Sequence, residues 1–399
     1  MNEHWQQVRL GDIANFRTGK LNSNASVENG LYPFFTCSPE TFRINDYAFD
    51  QKAILLAGNN AEGNFNIKYF EGKFNAYQRT YIIDIIHKDD LKYLFYALKL
   101  CLNQFKSLSQ GTSTHFLTMG ILENFSIPLP PLPIQRTIAA TLSCLDDKIE
   151  LNNRINANLE AQAQTIFKSW FVDFEPFQDG EFVDSELGKI PKGWRVGTLG
   201  EITTSHNGYS YSGEELRDSA YAMASLKNFD RKGGFKLDGF KEIIPSDKVK
   251  AEQFINLFDA LVAHTDLTQN AEVIGNCSLL LSKAGYEKIV MSMDLVKVVS
   301  NLPEINNFLL SVILSSPLFK RHALGYVNGT TVLHMSKKAI PEYKLAIPND
   351  LSAYKKLGDF LSQLYQMIAN NFEESRTLAA IRNILLPRLM SGEIEVEDE

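Results

Sequence analysis

The sequence lacks the features of a membrane or secreted protein. Its 399 residues contain no run of 18 apolar residues, which argues against a transmembrane helix. The stretch MNEHWQQVRLGDI has no basic segment followed by an apolar one, so we expect no secretory signal. The four cysteines are widely separated and form no CxxC pair, which argues against a disulfide framework or a zinc knuckle. These absences favour a soluble, cytoplasmic protein that does not bind membranes.

Catalytic and cofactor motifs are also missing. There is no GxxxxGK[ST] phosphate loop, no GxGxxG after a strand and no Asn-Pro-Pro-aromatic motif of adenine methyltransferases. The seven histidines show no metal-ligand spacing. The segment DSELGK groups acidic residues with a lysine, as some nuclease sites do, but a solvated turn is the simpler interpretation. We therefore expect no catalytic residue, no metal and no cofactor on this chain.

The net charge of -7 is unevenly distributed. Residues 131–195 carry 7 basic and 10 acidic residues, and residues 348–399 carry 5 and 9. Residues 1–130 are balanced at 12 of each, and residues 196–347 at 16 of each. The acidic excess therefore lies outside two large neutral blocks, which leaves room there for local basic patches that bind nucleic acid.

A doubled organisation is the main positive feature. The segment WQQVRLGDI from Trp5 matches WRVGTLGEI from Trp194, and QGTSTHFLT (Gln110–Thr118) matches NGTTVLHMS (Asn328–Ser336). Both QGTSTHFLT and NGTTVLHMS are followed by an Ile-Pro step and a long amphipathic stretch. The sequence therefore predicts a tandem repeat of one block and one long helix, with insertions in the second block.

The two amphipathic stretches share a pattern of apolar and polar layers. Alternating steps of four and three residues follow mostly apolar positions from Ile138 to Trp170 and from Leu357 to Leu389. Each series has two central polar positions, which are Asn152 and Asn156 in the first and Asn371 and Ser375 in the second. Two ordinary helices, each packed on its own domain, are the alternative. The matching polar layers favour a helix pair whose register these four residues fix.

Prolines and chain entry points predict how the helices begin and run. The segment PLPPLP sets a stiff exit from the first block into a helix from about residue 133 to 171, which Pro176 stops. The second block leaves near Trp170 and returns near Pro348, and domain entry and exit points usually lie close together. The helices should therefore be antiparallel, with Asn152 opposite Ser375 and Asn156 opposite Asn371. The predicted class is α+β: two similar mixed α/β domains separated by a pair of long antiparallel coiled-coil helices, with pseudo-twofold symmetry.

Polar loops recur in both blocks. Short strands such as KAILLAGNN, RTYIIDII and DALVAHTD are bounded by turns rich in Asn, Gln, Thr and Arg. Solvated loops are the simplest explanation of any one of them. Their recurrence favours a recognition surface, because Asn, Gln and Arg read adenine and guanine edges and Ser or Thr adds contacts to bases or phosphates.

Together these features resemble the DNA specificity subunits of type I restriction–modification systems. The resemblance rests on IPLPPLPIQRTIAATLSCLDDKIELNNRIN, SWFVDFEPF, DSELGKIPKGW, NAYQRTYII, TDLTQNAEVIG and LLPRLMSGEI. It implies target-recognition domains at residues 1–130 and 195–347, conserved helical regions at 131–175 and 348–399, and a linker at 176–194. Each domain would read one half of a split double-stranded DNA target, and the helices would set the gap.

The same resemblance implies partners. The subunit would dock two methyltransferase subunits and then endonuclease/translocase subunits, and S-adenosylmethionine, ATP and Mg²⁺ would be bound only by those partners. A coiled-coil scaffold that binds only proteins, or a stand-alone DNA-modifying enzyme, remains the alternative. By matching the loops of the two blocks, we expect DNA contacts at Asn59, Asn60, Asn64, Gln78, Arg79, Thr112, Thr114 and His115, and at Thr265, Asp266, Thr268, Gln269, Asn270, Thr330, Thr331 and His334.

Overall fold

The computed structural model describes residues 5–111, 113–231, 233–268 and 270–396. The chain forms two compact units, the first from residues up to 149 and from 377 onward, the second from residues 150–376. Each long helix therefore contributes one part to each unit. Among the described residues, no helix is both long and apolar enough to cross a bilayer.

The first unit is a mixed sheet with helices. Its strands are β1 (Gln6–Arg9), β2 (Ala14–Thr18), β3 (Tyr32–Phe35), β4 (Thr41–Ile44), β5 (Phe49–Ala57), β6 (Asn59–Asn60), β7 (Ile67–Ala76), β8 (Thr80–Ile85), β9 (His115–Phe116) and β10 (Ser126–Leu129). Six of them form a sheet of order β2-β8-β5-β7-β3-β4, while β1 pairs with β10 and β6 with β9. The β3–β7 pair is parallel, and the other pairs are antiparallel.

Helices cover the core of the first unit. They are α1 (Leu10–Ile13), α2 (Leu91–Leu100), α3 (Leu102–Leu108), α4 (Met119–Asn124) and the beginning of α5 (Leu132–Phe171). The apolar run of β5 and the buried face of α2 pack with Ile138 and Leu142 of α5. Leu386 and Leu389, from the last turns of α9 (Ser352–Met390), join the same core. In this unit α5 and α9 are therefore antiparallel and pack on the domain as well as on each other.

The second unit repeats this plan with additions. Its strands are β11 (Phe182–Ser185), β12 (Gly188–Pro191), β13 (Trp194–Thr198), β14 (Thr203–Asn207), β15 (Tyr221–Ala224), β16 (Lys241–Glu242), β17 (Phe254–Ile255), β18 (Ala260–Ala263), β19 (Thr265–Asp266), β20 (Cys277–Leu279), β21 (Lys288–Met291), β22 (Leu295–Ser300), β23 (Val327–Asn328), β24 (Leu333–Met335) and β25 (Lys344–Pro348). Its other helices are α6 (Leu199–Ile202), α7 (Asn307–Leu314) and α8 (Pro317–Leu324). The larger sheets have the orders β14-β22-β18-β20 and β16-β15-β21-β17.

The two units correspond element by element. The pair β1·β10 matches β13·β25, β2·β8 matches β14·β22, and β6·β9 matches β19·β24. The parallel pair β3·β7 matches the parallel pair β15·β21. Long helices follow the last strand in both units. The α+β class and the two similar mixed domains predicted from the repeat are confirmed.

The proline segment is held in place by one buried glutamine. Gln135 is 1% exposed, and its amide nitrogen donates to Pro130 O at 2.9 Å and to Asp89 Oδ1 at 3.0 Å. Its amide oxygen accepts the N–H of Asp90 at 2.9 Å. Asp90 in turn caps α2 by accepting the N–H of Tyr93. The exit from the first domain into α5 is therefore bonded to the start of α2, which fixes the angle at which α5 leaves.

Two amphipathic segments are interrupted in the structure, and the stretch expected as a linker is partly ordered into strands. The segments LKYLFYALKLCLNQF and INNFLLSVILSSPLFKRHAL each form two short helices, α2–α3 and α7–α8. The second breaks where Ser316 caps α8 and Pro317 occupies its first position, and the first breaks at Cys101. The stretch 176–194, expected as a linker, contains the hairpin β11·β12, with DSELGK at its turn. Phe182 and Ile190 of this hairpin pack beside Trp194 and Ala346, so the stretch has its own small core.

Candidate nucleic-acid interface

The predicted polar residues of the first unit gather beside the short strand pair β6·β9. Asn59 pairs with Phe116 and Asn60 with His115. The side-chain oxygen of Asn60 accepts the N–H of Glu62 at 2.8 Å and of Asn64 at 3.0 Å. Asn60 therefore shapes the turn that presents the exposed Asn64.

A second turn joins this cluster. Gln78 and Arg79 are exposed between β7 and β8, and the carbonyl of Arg79 accepts the N–H of Gly58 at 2.8 Å. Gln78 donates to the side chain of Asn22 at 3.1 Å. Because Gly58 directly precedes β6, the turn lies next to Asn59. We call β6, β9 and residues 61–66, 77–79 and 113–114 the first polar edge.

His115 and Thr114 complete the first polar edge. Thr114 is exposed, and His115 Nδ1 lies 3.0 Å from Ser109 Oγ. The structure therefore brings together seven of the eight residues predicted for the first block. The eighth, Thr112, lies outside the described residues.

The second unit builds the corresponding surface from β19 and β24. Thr265 pairs with His334 and Asp266 with Leu333. The loop that follows β19 runs to Asn276, just before β20. We call β19, β24 and residues 267–268, 270–276 and 329–332 the second polar edge. Thr330, Thr331, His334 and Asn270 are exposed and Thr268 is half-buried, while the predicted Gln269 lies outside the described residues.

Two predicted contact residues are buried supports. Thr265 is 4% exposed and Asp266 is 2% exposed. Thr265 donates to Asp294 Oδ1 at 2.8 Å. One carboxylate oxygen of Asp266 accepts hydrogen bonds from the N–H and the hydroxyl of Thr268, both at 2.8 Å. The other oxygen accepts the N–H of Val273 at 2.7 Å and the N–H of Ile274 at 3.1 Å. These side chains hold the loop from beneath, and neither faces solvent.

The pKa of Asp266 reflects this set of bonds. Burial alone would raise the pKa of this carboxyl, but hydrogen bonds from Thr268, Val273 and Ile274 outweigh burial, so the pKa lies below its ordinary value. Asp266 is therefore ionised at neutral pH. The charged carboxylate accepts hydrogen bonds from the loop backbone, and these bonds hold the loop in a defined conformation.

Equivalent bonds show how the two edges align. The carbonyl of Gly58 accepts the N–H of Leu117 at 2.8 Å, and the carbonyl of His264 accepts the N–H of Met335 at 2.9 Å. Gly58 and His264 therefore occupy the same position, directly before the short strand of each edge. His264 was not predicted from the sequence, although its place next to Thr265 in HTDLTQ gave a signal.

The histidines of the paired Gly-Thr loops are not equivalent. Since Leu117 aligns with Met335, Phe116 aligns with His334, and His115 aligns with Leu333. Leu333 is 8% exposed and His334 is exposed, because successive residues of a strand face opposite sides. The alignment of QGTSTHFLT with NGTTVLHMS has the same register, so sequence and structure agree that the two histidines occupy neighbouring positions.

Each unit has a buried polar atom with no partner among the described residues, in or directly before the first short strand of its edge. These atoms are Oδ1 of Asn59 and Nε2 of His264. Burial lowers the pKa of His264, and the neighbouring His334 and Lys337 lower it further, so this imidazole is neutral at pH 7. An unpaired buried polar atom costs about 1–3 kcal/mol, so its occurrence next to the short strand pair of both units calls for an explanation.

The polar layers of the long helices meet within the second unit. Asn152 is fully buried and donates to Ser375 Oγ at 3.2 Å and to Glu374 Oε2 at 2.8 Å. Asn371 donates to Asn156 Oδ1 at 2.8 Å. The contacts join the residue pairs that the antiparallel register predicts. A buried amide layer of this kind penalises other registers, because a shifted helix would bury its amides without partners.

A family model and known relatives identify this architecture. The model described as "Type I restriction modification DNA specificity domain" matches residues 2–161. The MjaIX specificity subunit of the type I restriction enzyme from Methanocaldococcus jannaschii is 30% identical over 334 residues, covering 79% of this chain and 72% of that subunit. The chain belongs to the type I restriction–modification specificity subunits. Members of this family are DNA-recognition subunits rather than enzymes, so the chain is a non-catalytic, DNA-binding component.

Two further comparisons agree with this family. The EcoDI specificity subunit of Escherichia coli is 35% identical over 192 residues, which span 48% of this chain and 40% of that subunit's length. The crystal structure of the type I restriction-modification S subunit from M. genitalium matches with a TM-score of 0.55 and 17% identity, covering 97% of this chain and 96% of that one. At this identity the second comparison shows the shared fold alone.

Proposed function

We propose that this specificity subunit reads a two-part sequence in double-stranded DNA, one half-site with each polar edge. The observation that carries the proposal is the repetition of the same edge: a two-residue strand paired with a second short strand, next to a polar loop, in each unit. Asn59 lies in the first short strand of one edge and His264 directly before that of the other, and Asn59 Oδ1 and His264 Nε2 have no partner among the described residues. Affinity would come largely from phosphate contacts, and sequence preference from the loop side chains.

The paired long helices would set the distance between half-sites and dock two methyltransferase subunits, with endonuclease/translocase subunits joining afterwards. Large apolar side chains remain exposed along these helices, as expected of a surface that a protein covers. They are Leu151, Phe360, Met367, Ile381 and Ile384, between 42% and 60% exposed. S-adenosylmethionine, ATP and Mg²⁺ would be bound by the partners, and the assembly would act on DNA in the cytoplasm.

The spacing role can be tested by lengthening both helices together. Inserting four residues after Arg154 and four before Glu373 adds about one turn, or roughly 5–6 Å, to each helix while keeping the polar layers opposite one another. The gap between half-sites should lengthen by about 1–2 base pairs, since stacked bases rise about 3.4 Å. The half-sites themselves should not change. Sequencing of methylated DNA from cells that carry the methyltransferase would show the motif.

A single insertion provides the matched control. Lengthening only α5 would place the amides of one layer opposite unmatched side chains, so stability should fall without a clean change of gap. An unchanged gap in the double insertion would contradict the spacing role. A scaffold that binds only proteins predicts no sequence-specific retention of DNA by the complex in a gel-shift experiment, whereas a DNA reader predicts retention that depends on this chain.

A further inference from the structure

A lysine reaches into the loop of the polar edge in both units. In the first unit Lys106 of α3 donates to Asn64 Oδ1 at 2.9 Å. In the second unit Lys320 of α8 donates to Asn276 Oδ1 at 2.8 Å. The two residues of each pair are 42 and 44 positions apart in the chain, so the contacts join separate elements.

Each asparagine directly follows a glycine with a left-handed backbone. Gly63 has φ +73° and Gly275 has φ +77°, a region that other residues enter only with strain. A Cβ on Gly63 would lie 2.9 Å from Lys106 Cγ, and a Cβ on Gly275 would lie 2.9 Å from the Cβ of Ala323 in α8. The glycines therefore let the loop approach the helix that carries the lysine.

The helices that supply the lysines are equivalent. Phe105 and Phe319, the residues just before the lysines, are both fully buried and anchor α3 and α8 in their cores. The loops differ in length: Asn276 lies directly before β20, whereas Asn64 lies three residues before the first residue of β7. The same arrangement of buried phenylalanine, lysine, glycine and asparagine is thus built on loops of unequal size.

The second-unit lysine is the more deeply engaged. Besides Asn276, the ammonium group of Lys320 donates to the carbonyls of Ala271 and Glu272, both at 3.2 Å, and to the carbonyl of Ile274. Burial lowers the pKa of Lys320 to about 8, with the Asp266 carboxylate acting in the opposite direction, so the charged form predominates at neutral pH. Asp266 binds the N–H groups of this loop and Lys320 binds its carbonyls, which leaves the loop few alternative conformations.

We propose that Lys106 and Lys320 are positioning residues for DNA readout, each fixing the loop of its own polar edge so that this loop discriminates bases in its own half-site. The inference rests on the proposed function. If a loop is already held in one conformation before binding, less binding free energy is lost in ordering it. Small displacements of the groups that contact bases weaken discrimination between sequences. The lysines act through the loops rather than by touching DNA.

The test compares Lys320→Met and Lys106→Met in the complex with its methyltransferase. Methionine keeps the apolar stem and removes the ammonium group. Fluorescence anisotropy measures binding to the cognate duplex and to duplexes altered in either half-site. Lys320→Met should lower discrimination between cognate and altered bases at one half-site about tenfold and leave the other half-site unchanged. Lys106→Met should lower discrimination at the opposite half-site. Its effect should be only a few-fold, because the bond between Lys106 and Asn64 is exposed. Lys320→Arg should restore part of the loss.

Charge removal alone has a different signature. A lysine that contacts phosphate weakens binding to all duplexes equally and lowers the salt dependence. Lys192→Met, which removes one exposed lysine of the same unit, controls for this effect. Uniform weakening in Lys320→Met or Lys106→Met, unchanged discrimination, or loss at both half-sites from one substitution would overturn the inference. Absence of sequence-specific binding by the unmodified complex would instead overturn the proposed function.

Discussion

Replacing Asp266 with asparagine tests the claim that this carboxylate organises the second polar edge. The wild-type carboxylate accepts two bonds at each oxygen, from Thr268 on one side and from Val273 and Ile274 on the other. Asparagine offers only one acceptor atom and places an NH₂ group against the remaining donors. Two bonds to a charged acceptor are therefore lost, and two buried donors lose their partner.

The expected cost follows from these contacts. A hydrogen bond to a charged group contributes about 1.5–3 kcal/mol, so two lost bonds give at least about 3 kcal/mol. This is a large fraction of the stability of an ordinary domain, about 5–15 kcal/mol. Urea denaturation followed by circular dichroism should show the loss, and hydrogen exchange should localise it to peptides covering residues 264–276.

The matched control is Asn60→Asp, at the corresponding position of the first unit. The oxygen of Asn60 accepts two N–H groups, and aspartate can accept both, so the change should be less than about 1 kcal/mol. Equal stability of Asp266→Asn and wild type, together with unchanged exchange in the loop, would refute the reasoning.

The contribution of the Asp266 carboxylate to stability should depend on pH. Because the pKa of Asp266 is lower in the folded state than in the unfolded state, its contribution is fully present above the unfolded pKa of about 3.9 and is lost as pH falls through the folded pKa. The stability difference between wild type and Asp266→Asn should therefore shrink below about pH 4. A difference that stays constant down to pH 2 would contradict the assignment.

Two further predictions concern side chains outside the polar edges. Asp146→Asn removes the ion pair with Arg382 and weakens the hydrogen bond from the Tyr96 hydroxyl, which lies 2.8 Å away. Urea denaturation should show that the free energy of unfolding falls by about 1–3 kcal/mol. Tyr96→Phe should cost less. Burial raises the pKa of Cys277 to about 12, so this thiol should resist alkylation at pH 8 while the exposed Cys144 reacts. Mass spectrometry of the alkylated native protein measures both. Alkylation of Cys277 before Cys144 would contradict the structure.

Local periodicity explains why the helix pair could be predicted. The heptad steps and the asparagine layers are properties of short segments, and they define both the helices and the residues that face each other, Asn152 with Ser375 and Asn156 with Asn371. The doubled segments likewise predicted two similar domains. The break at Ser316–Pro317 follows helix-capping rules, although the apolar pattern continues across it as it would in a single helix.

The polar edges were only partly predictable. Loop composition found the right segments, but exposure within them depends on partners distant in sequence, such as Asp294 for Thr265. Asp266 resembles a surface residue in the sequence because the N–H groups that it binds come from the backbone. The lysines were missed because 42 and 44 residues separate them from their asparagines, and only the folded sheets bring these together.

The central claim is that two similar edges read two separate half-sites. The most direct measurement is base-resolution methylation mapping of DNA from cells that express this chain with its methyltransferase, repeated after residues 195–347 are replaced by the corresponding block of another specificity subunit. We predict a two-part motif with a fixed gap, of which the replacement alters one part and leaves the other intact. A single uninterrupted motif, or a replacement that alters both parts, would contradict it.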